Sequence, residues 1–191
     1  MLPTSEPCSL EVVVLDRDGV INVARDDAIK DPQDFVPIEG SLEAIARLSQ
    51  NDYRVVVITN QSGIAHGLLT IDDVGRVHAH MQQLVAAKGG RIDAILFCPH
   101  TPDDDCRCRK PKPGMLHTLM DRLNVELNGV PLVGDSLRDV QTAMVVGATP
   151  VLVKTGHGTQ TLEENKHLDA VEVYADLSEF VEQILEPQET E

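Results

Sequence analysis

The chain has 191 residues, a length that suits a single domain with a sizeable hydrophobic core. Its 31 acidic and 16 basic side chains give a formal net charge of −15, which argues against non-specific binding to nucleic acid or to anionic membranes. The sequence shows neither a signal-peptide pattern nor an apolar run near the ~18 residues of a transmembrane helix. Together with the acidic charge, this leads us to expect a cytoplasmic protein without nucleic-acid or membrane partners.

The first strand is predicted over residues 11–15, where an aliphatic run ends in two aspartates, Asp16 and Asp18. Such a run is typical of a strand buried on both faces of a parallel sheet, and open α/β sheets bind ligands at the carboxyl ends of their strands. Two carboxylates crowded there imply a bound metal ion or a shared proton, and in an enzyme they can act as nucleophile and proton carrier. The alternative is a strand that ends in an acidic turn.

Alternating strand and helix patterns continue through the chain after a polar loop over residues 19–40. We predict helices over 41–50, 71–88, 115–127, 137–146 and 176–185, and further strands over 54–58, 92–97, 130–133, 150–153 and 171–174. Ser41 and Thr70 are the predicted N-caps of the first two helices. The alternation predicts an α/β fold with a doubly wound, mostly parallel sheet of about five or six strands, in one domain over residues 1–191.

Polar side chains follow several of these strands at one edge of the predicted sheet. They are Asp16 and Asp18 after the first strand, Thr59 and Asn60 after the second, Asp135 after a later one, and Asp139 one helical turn further on. Phosphoryl transfer requires such a set together with the positive charge of residues 109–113, because Mg²⁺ takes hard oxygen ligands and the phosphoryl group takes cations. The alternative for Asp135 and Asp139 is a pair of acids favoured by a helix N-terminus.

A second cluster of metal-ligand residues lies on one short loop: Cys98, His100, Cys106 and Cys108. Three thiolates and one imidazole predict a closed tetrahedral Zn²⁺ site, which is structural rather than catalytic. The same spacing favours a reducing compartment over a disulfide framework. We therefore predict a zinc loop over residues 98–110 that fixes the position of Arg109 and Lys110.

Four segments resemble the ordered motifs of the haloacid dehalogenase superfamily of phosphatases: residues 16–20 (DRDGV), 59–63 (TNQSG), 109–111 (RKP) and 134–139 (GDSLRD). The resemblance implies a Rossmann-like haloacid dehalogenase fold without a large cap domain, so that loops alone shape the pocket. It also implies that the chain is an enzyme, a phosphoric monoester hydrolase that requires Mg²⁺.

The resemblance further implies a role for each residue that matches a motif. Asp16 would be the nucleophile that forms an aspartyl-phosphate, and Asp18 would protonate the leaving alkoxide and then activate water. Mg²⁺ would be held by Asp16, Asp135 and the backbone carbonyl of Asp18. Thr59 and Lys110 would stabilise the phosphoryl oxygens. Asp139 would support the site. Since Asp18 has to start protonated, we expect the neighbouring carboxylates to favour its neutral form.

Within the superfamily, the chain resembles two groups, the heptose bisphosphate 7-phosphatases and the histidinol phosphatases. Residues 59–65 and 108–115 favour the first group, while the short gap between His100 and Cys106 is typical of the second. The first group implies removal of the 7-phosphate of D-glycero-D-manno-heptose 1,7-bisphosphate, on the route to nucleotide-activated heptose for the lipopolysaccharide core.

The same resemblance implies a small, phosphorylated sugar as partner and a set of residues that contact it: Arg17, Ala24, Arg25, Asp26, Asp27, Asn60, Gln61, Ser62 and Arg109. His66 is a further candidate for a substrate contact. His78 and His80 lie on different faces of the second predicted helix, and we expect both to be solvated. Without a cap to bury contacts between subunits, we expect a monomer.

Two alternatives come from other functional classes. A phosphorylatable, receiver-like signalling domain also places acids, a threonine and a lysine at a sheet edge, but it is shorter and a zinc loop has no role in it. A zinc-stabilised interaction module with a vestigial acid pocket is the other alternative. The intact set of acids, threonine and lysine argues against that module. Mg²⁺-dependent turnover of a phosphomonoester distinguishes the enzyme from both.

Overall fold

A computed structural model describes residues 11–25, 27–168 and 170–186. In these residues there are six strands: β1 Val12–Leu15, β2 Arg54–Asn60, β3 Ala94–Cys98, β4 Pro131–Gly134, β5 Thr149–Val153 and β6 Glu172–Tyr174. They form one sheet in the order β3-β2-β1-β4-β5-β6, and every pair of neighbours is parallel. The predicted α/β class and parallel sheet are confirmed.

The described residues also contain six α-helices: α1 Ser41–Gln50, α2 Ile71–Ala87, α3 Gly114–Leu123, α4 Leu137–Val145, α5 Gly158–Glu164 and α6 Leu177–Leu185. Short 3-10 turns occur in two loops, at Pro32–Asp34 and Pro102–Asp104. Helices α1 to α5 each lie in the connection between two successive strands, which is the crossover that parallel strands require, and α6 follows the last strand.

The sheet is covered on both faces, which explains the uninterrupted aliphatic run of β1. Val13 and Leu15 belong to a core that includes buried side chains of α1, α2 and α6. Val12 and Val14 belong to a second core with buried side chains of α3. Because successive side chains of a strand point to opposite faces, a strand between two helical layers needs an apolar residue at every position.

The order of the strands reverses at β1. Val14 pairs with Val56 of β2 on one side and with Leu132 of β4 on the other. The chain builds outward through β2 and β3 on the first side and through β4 to β6 on the second. Ligands of open α/β sheets bind outside the carboxyl ends of the strands at such a reversal, so Asp16 lies at the position where a site is expected.

Of the two predicted N-caps, one is confirmed and the other is wrong. Thr70 caps α2 as predicted, and its hydroxyl accepts a hydrogen bond from the backbone N–H of Asp73, whose carboxylate accepts one from the N–H of Thr70. The prediction for Ser41 is wrong, because α1 begins at Ser41 and Gly40 is its N-cap. The Ser41 hydroxyl donates instead to the carbonyl of Ile21, 2.7 Å away, and so ties the loop after β1 to α1.

Two other features depart from the sequence prediction. Helix α3 ends at Leu123, because the backbone of Asn124 is left-handed with a φ of 50°. Helix α5 was not predicted, since it has seven residues and lacks a long enough apolar pattern. In the described residues no cap domain covers the carboxyl edge of the sheet. None of the described helices is both long and apolar enough to span a membrane.

Candidate functional site

A cavity of about 320 Å³ opens at the carboxyl ends of β1, β2 and β4. Residues from all four sequence motifs line it: Asp16, Asp18, Thr59, Lys110 and Asp135. The sixth residue of the predicted set, Asp139, lies just behind this cavity, where its side chain is 1% exposed. The fold therefore brings together residues that are far apart in the chain.

Lys110 links two of the buried acids. Its ammonium nitrogen Nζ lies 2.9 Å from Oδ1 of Asp16 and 2.6 Å from Oδ1 of Asp139, and it donates to the carbonyl of Ile58 at 3.1 Å. Burial alone would lower the pKa of Lys110, but the two carboxylates outweigh it and raise the pKa above its usual range. Lys110 is therefore a permanent positive charge beside Asp16.

Asp139 is held from the opposite side by the start of α4. Its Oδ2 accepts hydrogen bonds from the backbone N–H of Ser136 at 3.1 Å and from the Ser136 hydroxyl at 2.5 Å. Asp139 thus occupies the first turn of a helix, as the alternative interpretation required, and it also binds Lys110. Because both of its oxygens are engaged, Asp139 supports the site by fixing Lys110.

Asp135 lies against the loop that follows β5. Its Oδ2 accepts a hydrogen bond from the backbone N–H of His157 at 2.8 Å. Gly156 makes this approach possible, because a Cβ at that position would lie 2.1 Å from Oδ2 of Asp135 and 2.6 Å from the Cα of Gly19. The φ of +56° at Gly156 also favours glycine.

Burial, with a further contribution from neighbouring acids, raises the pKa of two of these carboxyl groups. Burial raises the pKa of Asp16 to about 7, with Lys110 opposing the shift and Asp139 and Asp135 adding to it. Burial likewise raises the pKa of Asp135 to about 6, and the N–H of His157 opposes that shift. One oxygen from each of the three carboxylates lies within 4.8 Å of the others. A divalent cation relieves such repulsion.

The residues present fit Mg²⁺. This ion takes oxygen ligands at ~2.0–2.1 Å in an octahedral arrangement, so a cluster of carboxylate oxygens of this span can surround it. Both oxygens of Asp139 are occupied by Lys110 and Ser136, whereas Oδ2 of Asp16 and Oδ1 of Asp135 accept no hydrogen bond from the described residues. Asp16 and Asp135 are therefore the side chains that would hold the ion.

Asp18 has entirely different surroundings. The guanidinium of Arg17 donates to both of its oxygens at 2.9 Å, Asn22 donates to Oδ1 at 2.9 Å, and Gln61 donates to Oδ2 at 3.0 Å. Burial alone would raise the pKa of Asp18, but Arg17 and these hydrogen bonds outweigh it and lower the pKa. The expectation that neighbouring acids favour a neutral Asp18 is wrong for this arrangement, because the acids crowd Asp16 and Asp135 instead.

Residues at the end of β2 form hydrogen bonds around the site and to the backbone of Lys110. Thr59 is buried, and its hydroxyl accepts a hydrogen bond from Gln61 at 3.0 Å. Asn60 pairs with the backbone of Lys110, since its Oδ1 accepts from the N–H at 3.1 Å and its Nδ2 donates to the carbonyl at 3.2 Å. The side chain of Asn60 therefore fixes the backbone from which Lys110 extends.

Most of the predicted substrate contacts line the same cavity: Arg17, Ala24, Arg25, Asp27, Asn60, Gln61 and Ser62, with His66 beside them. Arg25 forms a two-point ion pair with Asp27, at 2.7 Å and 2.8 Å. Asp26 lies outside the described residues. Arg109 lines an adjoining cavity of about 330 Å³ that shares Lys110 and Arg138 with the first, and it donates to the carbonyl of His100 at 3.0 Å.

The four predicted zinc ligands converge on one point. Their ligand atoms lie within 4.8 Å of one another, and the separations include 3.2 Å between Cys98 and Cys108, 3.6 Å between Cys98 and Cys106, and 3.3 Å between His100 and Cys108. Tetrahedral zinc with Zn–S bonds of ~2.3 Å requires sulfur atoms about 3.8 Å apart. The residues thus fit a closed structural zinc site, and Lys110 follows its last ligand by two positions.

Two buried residues that contact Asp18 or Arg17, Asn22 and His78, were not predicted from the sequence to support the site. Asn22 is fully buried and donates to Asp18, and its Oδ1 has no hydrogen-bond partner among the described residues. His78 is not solvated as predicted: it is 7% exposed, and its Nε2 lies 3.1 Å from Nη1 of Arg17. Burial, followed by the charge of Arg17, lowers the pKa of His78 to about 4.

A signal for His78 was present in the sequence. The buried positions of α2 are Val74, Val77, His78, Met81 and Val85. His78 lies on the apolar stripe that this spacing defines, because residues three and four apart share one helix face. A histidine on such a stripe requires a polar partner in the core, and Arg17 is that partner. His80 is half-buried, and its ring packs edge-on against Phe35 at 6.3 Å.

Comparisons with known proteins agree with this geometry. A protein-family model described as HAD-hydrolase-like matches residues 107–180. The D-glycero-beta-D-manno-heptose-1,7-bisphosphate 7-phosphatase of Bordetella bronchiseptica is 46% identical over 177 residues, which are 93% of this chain and 99% of that protein. The enzyme of the same name from Pseudomonas aeruginosa is 51% identical over 154 residues, covering 81% of this chain and 86% of that protein.

Solved structures give the same result for the fold. The crystal structure of D,D-heptose 1,7-bisphosphate phosphatase from B. bronchiseptica, complexed with magnesium and phosphate, matches with a TM-score of 0.89 at 46% identity. The match covers 92% of this chain and 98% of that chain. The corresponding phosphatase from Burkholderia thailandensis matches with a TM-score of 0.73 at 41% identity, covering 93% and 99% of the two chains.

Proposed function

The chain belongs to the haloacid dehalogenase-like heptose bisphosphate 7-phosphatases, and from this membership we propose that it hydrolyses the 7-phosphate of D-glycero-β-D-manno-heptose 1,7-bisphosphate in a Mg²⁺-dependent reaction. The single observation that carries the proposal is 46% identity over 93% of the chain to a phosphatase of that name. The products are heptose 1-phosphate and phosphate. The first of these serves the synthesis of nucleotide-activated heptose for lipopolysaccharide.

We propose Asp16 as the nucleophile. One of its oxygens attacks the phosphorus of the 7-phosphate, the bond between phosphorus and the C7 oxygen breaks, and Asp18 gives its proton to that oxygen. Asp18, now a carboxylate, then takes a proton from water, whose oxygen attacks phosphorus and releases phosphate from Asp16. The donors that surround Asp18 favour its carboxylate form, which is required in this second half. The first half uses the neutral form, which Asp18 regains when it takes the proton from water.

Two cationic elements support the transfer. When bound, Mg²⁺ supplies positive charge to the phosphoryl group, and we propose Asp16, Asp135 and the backbone carbonyl of Asp18 as the groups that hold it. Lys110 lies 2.9 Å from Asp16 and stays charged, which supports a role in stabilising the phosphoryl oxygens. We assign the same role to Thr59.

The zinc loop has a positioning role in this proposal. Cys98, His100, Cys106 and Cys108 would hold Zn²⁺, with no ligand position left for water. We propose that this loop, residues 98–110, is an insertion that delivers Arg109 and Lys110 within one domain over residues 1–191. Arg109 lines the cavity that adjoins Lys110, a position that suits it to the part of the substrate beyond the reacting phosphate.

The same set of side chains argues against the alternatives from the sequence. A receiver domain takes a phosphoryl group from a partner and has no use for Asp18 as proton carrier or for a zinc loop.

We further propose that the protein is a monomer, which light scattering tests, and that its location is cytoplasmic. The location is supported by cysteines 98, 106 and 108, which converge with His100 in a metal-type cluster instead of forming disulfides.

Phosphate release with Mg²⁺ tests the proposed substrate. The β and α anomers of the heptose bisphosphate and histidinol phosphate are compared at matched concentrations. We expect a kcat/KM for the β anomer at least ~10²-fold above that for histidinol phosphate, which corresponds to about 2.7 kcal/mol. A preference for histidinol phosphate would overturn the proposal, and it would make the five-residue gap between His100 and Cys106 the better guide to the substrate.

Mg²⁺ dependence is tested in the same assay. Removal of Mg²⁺ with a weak chelator should abolish phosphate release, and added Mg²⁺ should restore it. The zinc content is measured on the same samples, because retained zinc assigns the loss to the carboxylate site rather than to the zinc loop.

A further inference from the structure

The guanidinium of Arg17 is the group that fixes the orientation of Asp18. Its Nη2 lies 2.9 Å from each oxygen of the Asp18 carboxylate, and its Nε lies 3.2 Å from Oδ1. Arg17 is only 2% exposed although it lines the cavity, so its long side chain is packed into the protein. A buried guanidinium must satisfy its remaining N–H groups within the protein.

His78 accepts one of those hydrogen bonds. Its Nε2 lies 3.1 Å from Nη1 of Arg17. Because a guanidinium only donates, Nε2 has to be the acceptor, which places the imidazole in the neutral form with its proton on Nδ1. The ring is held by helix α2 on one side and by Phe97 of β3, whose ring packs against it at a centroid distance of 5.9 Å.

We propose that His78 is a positioning residue for proton transfer, because it anchors the Arg17 guanidinium that aligns the Asp18 carboxyl with the leaving oxygen. This inference rests on the proposed function, in which Asp18 protonates that oxygen. His78 is not among the described residues that line the cavity. Its contribution passes through Arg17 to Asp18, and therefore affects the two steps in which Asp18 transfers a proton. Of these, kcat/KM reports the first, because it includes only the steps up to loss of the leaving group.

The geometry explains why an anchor is needed. Arg17 has a long, flexible side chain, and an acceptor at Nη1 leaves one orientation in which all of its contacts to Asp18 are made. Asn22 and Gln61 also donate to Asp18, so the carboxyl would stay nearby without His78 but would lose its fixed angle. Proton transfer is sensitive to small displacements of the acid, so we expect a moderate loss of rate and not an inactive enzyme.

The dependence on the leaving group separates this role from a structural one. A sugar alkoxide needs a proton as it leaves, whereas p-nitrophenolate leaves without one. For His78→Leu we expect kcat/KM for the heptose bisphosphate to fall about 10- to 50-fold and kcat/KM for p-nitrophenyl phosphate to fall less than about threefold. His78→Gln, whose amide oxygen can accept from Arg17, should restore the sugar reaction to within about threefold of wild type.

Two further variants control the experiment. His80→Leu removes the neighbouring histidine of the same helix, which packs against Phe35, and it should leave both reactions within about twofold of wild type. Should His78→Leu fail to fold, His78→Met tests the same connection, because its thioether is only a weak hydrogen-bond acceptor for Arg17. The same preferential loss on the sugar substrate is expected.

Equal losses on the two substrates, no loss on either, or no rescue by glutamine would overturn the positioning role. The proposed function is tested separately by wild-type turnover of the heptose bisphosphate. The role of His78 is tested by the ratio between variant and wild type. If the wild-type protein preferred another alkyl phosphate, the proposed substrate would be wrong, and the ratio would then be measured on that phosphate against the aryl phosphate.

Discussion

Asp16 and Asp18 are separated by one residue, yet the fold gives them opposite surroundings. Asp16 faces Asp135 and Asp139, and burial among these acids raises its pKa to about 7. Asp18 faces the guanidinium of Arg17 and two amide donors, which lower its pKa against the effect of burial. The spacing of the motif therefore does not determine what each carboxylate can do. That role is determined by the groups that the fold places around each carboxylate.

Each aspartate has one buried cation, and the two cations are anchored from different directions. Lys110 reaches Asp16 from the zinc loop, and Asn60 holds its backbone. Arg17 reaches Asp18 from the neighbouring position and is anchored by His78 of α2. We call Asp16 with Lys110 the Asp16 side of the site, and Asp18 with Arg17 the Asp18 side. The Asp16 side is connected to the zinc loop and the Asp18 side to helix α2, so we expect that a substitution can disturb one side without the other.

The largest effect should come from Asp16→Asn. An amide is a poor nucleophile toward phosphorus, so we expect kcat to fall roughly 10⁴-fold or more for sugar and aryl phosphates alike. Phosphate release under Mg²⁺ measures this, and zinc content together with circular dichroism should remain as in wild type. Residual activity above about one per cent would contradict a covalent role for Asp16 and remove the main difference between the two aspartates.

A smaller but still large effect should follow loss of zinc. Cys108→Ser removes a ligand that lies 3.2 Å from Cys98 and two residues before Lys110, so the loop should loosen and Lys110 should no longer be fixed beside Asp16. We expect loss of bound zinc, a lower melting temperature and a fall in kcat of about 10²-fold. Metal analysis, thermal unfolding and phosphate release check the three parts.

The matched control for this variant is Cys8→Ser, which changes the remaining cysteine of the chain and should retain zinc and activity.

Rates with the aryl phosphate distinguish the effects of substitutions on the Asp16 side from those on the Asp18 side. Because the proposed role of Lys110 is to stabilise the phosphoryl oxygens and not the leaving oxygen, Cys108→Ser should slow both substrates equally, whereas His78→Leu should slow mainly the sugar. A preferential loss on the sugar for Cys108→Ser would show that the two sides are not separable.

His78 should make the stability of the folded protein depend on pH. Burial and Arg17 lower the pKa of His78 from a usual ~6.5 to about 4. Below pH 6.5 the unfolded chain binds a proton that the folded protein does not, so the stabilisation is present at pH 7 and is lost as the pH falls toward 4. From pH 7 to pH 5, His78 should reduce the free energy of unfolding by about 2 kcal/mol.

Urea unfolding of wild type and His78→Gln at the two pH values measures this contribution. Asp16, Asp135 and the other titrating groups are common to both proteins, so the difference between their pH dependences isolates His78. The variant should lose about 2 kcal/mol less than wild type on acidification. Identical pH dependences would mean that burial and Arg17 do not hold His78 neutral, and a protonated Nε2 could not accept the hydrogen bond from Nη1 of Arg17.

The two clusters of metal ligands were predictable from the sequence for different reasons. The zinc ligands lie within eleven residues, from Cys98 to Cys108, so their spacing alone indicated one site. The acids are distributed from Asp16 to Asp139, and they could be grouped only because each one follows a predicted strand or begins a helix. Both predictions depend on backbone position, which sequence patterns describe well.

The surroundings of Asp18 were not predictable in this way. They depend on the directions of the Arg17, Asn22 and Gln61 side chains, and no strand or helix pattern specifies those directions. The sequence suggested that acids would keep Asp18 neutral, because it shows that acids are near but not which oxygen faces which donor. His78 was missed for a related reason, since its place on the apolar stripe of α2 was not combined with the need for a buried partner.

The smallest effect should come from Ser136→Ala on the Asp16 side. The Ser136 hydroxyl is one of two donors to Oδ2 of Asp139, and the backbone N–H at 3.1 Å remains after the substitution. We expect a loss of about 1 kcal/mol in stability, typical of one hydrogen bond, and kcat within about threefold of wild type. Thr70→Ala removes the corresponding cap of α2, away from Asp139, and should cost similar stability without changing kcat. A tenfold loss of kcat confined to Ser136→Ala would mean that Lys110 relies on this hydroxyl through Asp139, and that the Asp16 side has a side-chain anchor comparable to His78.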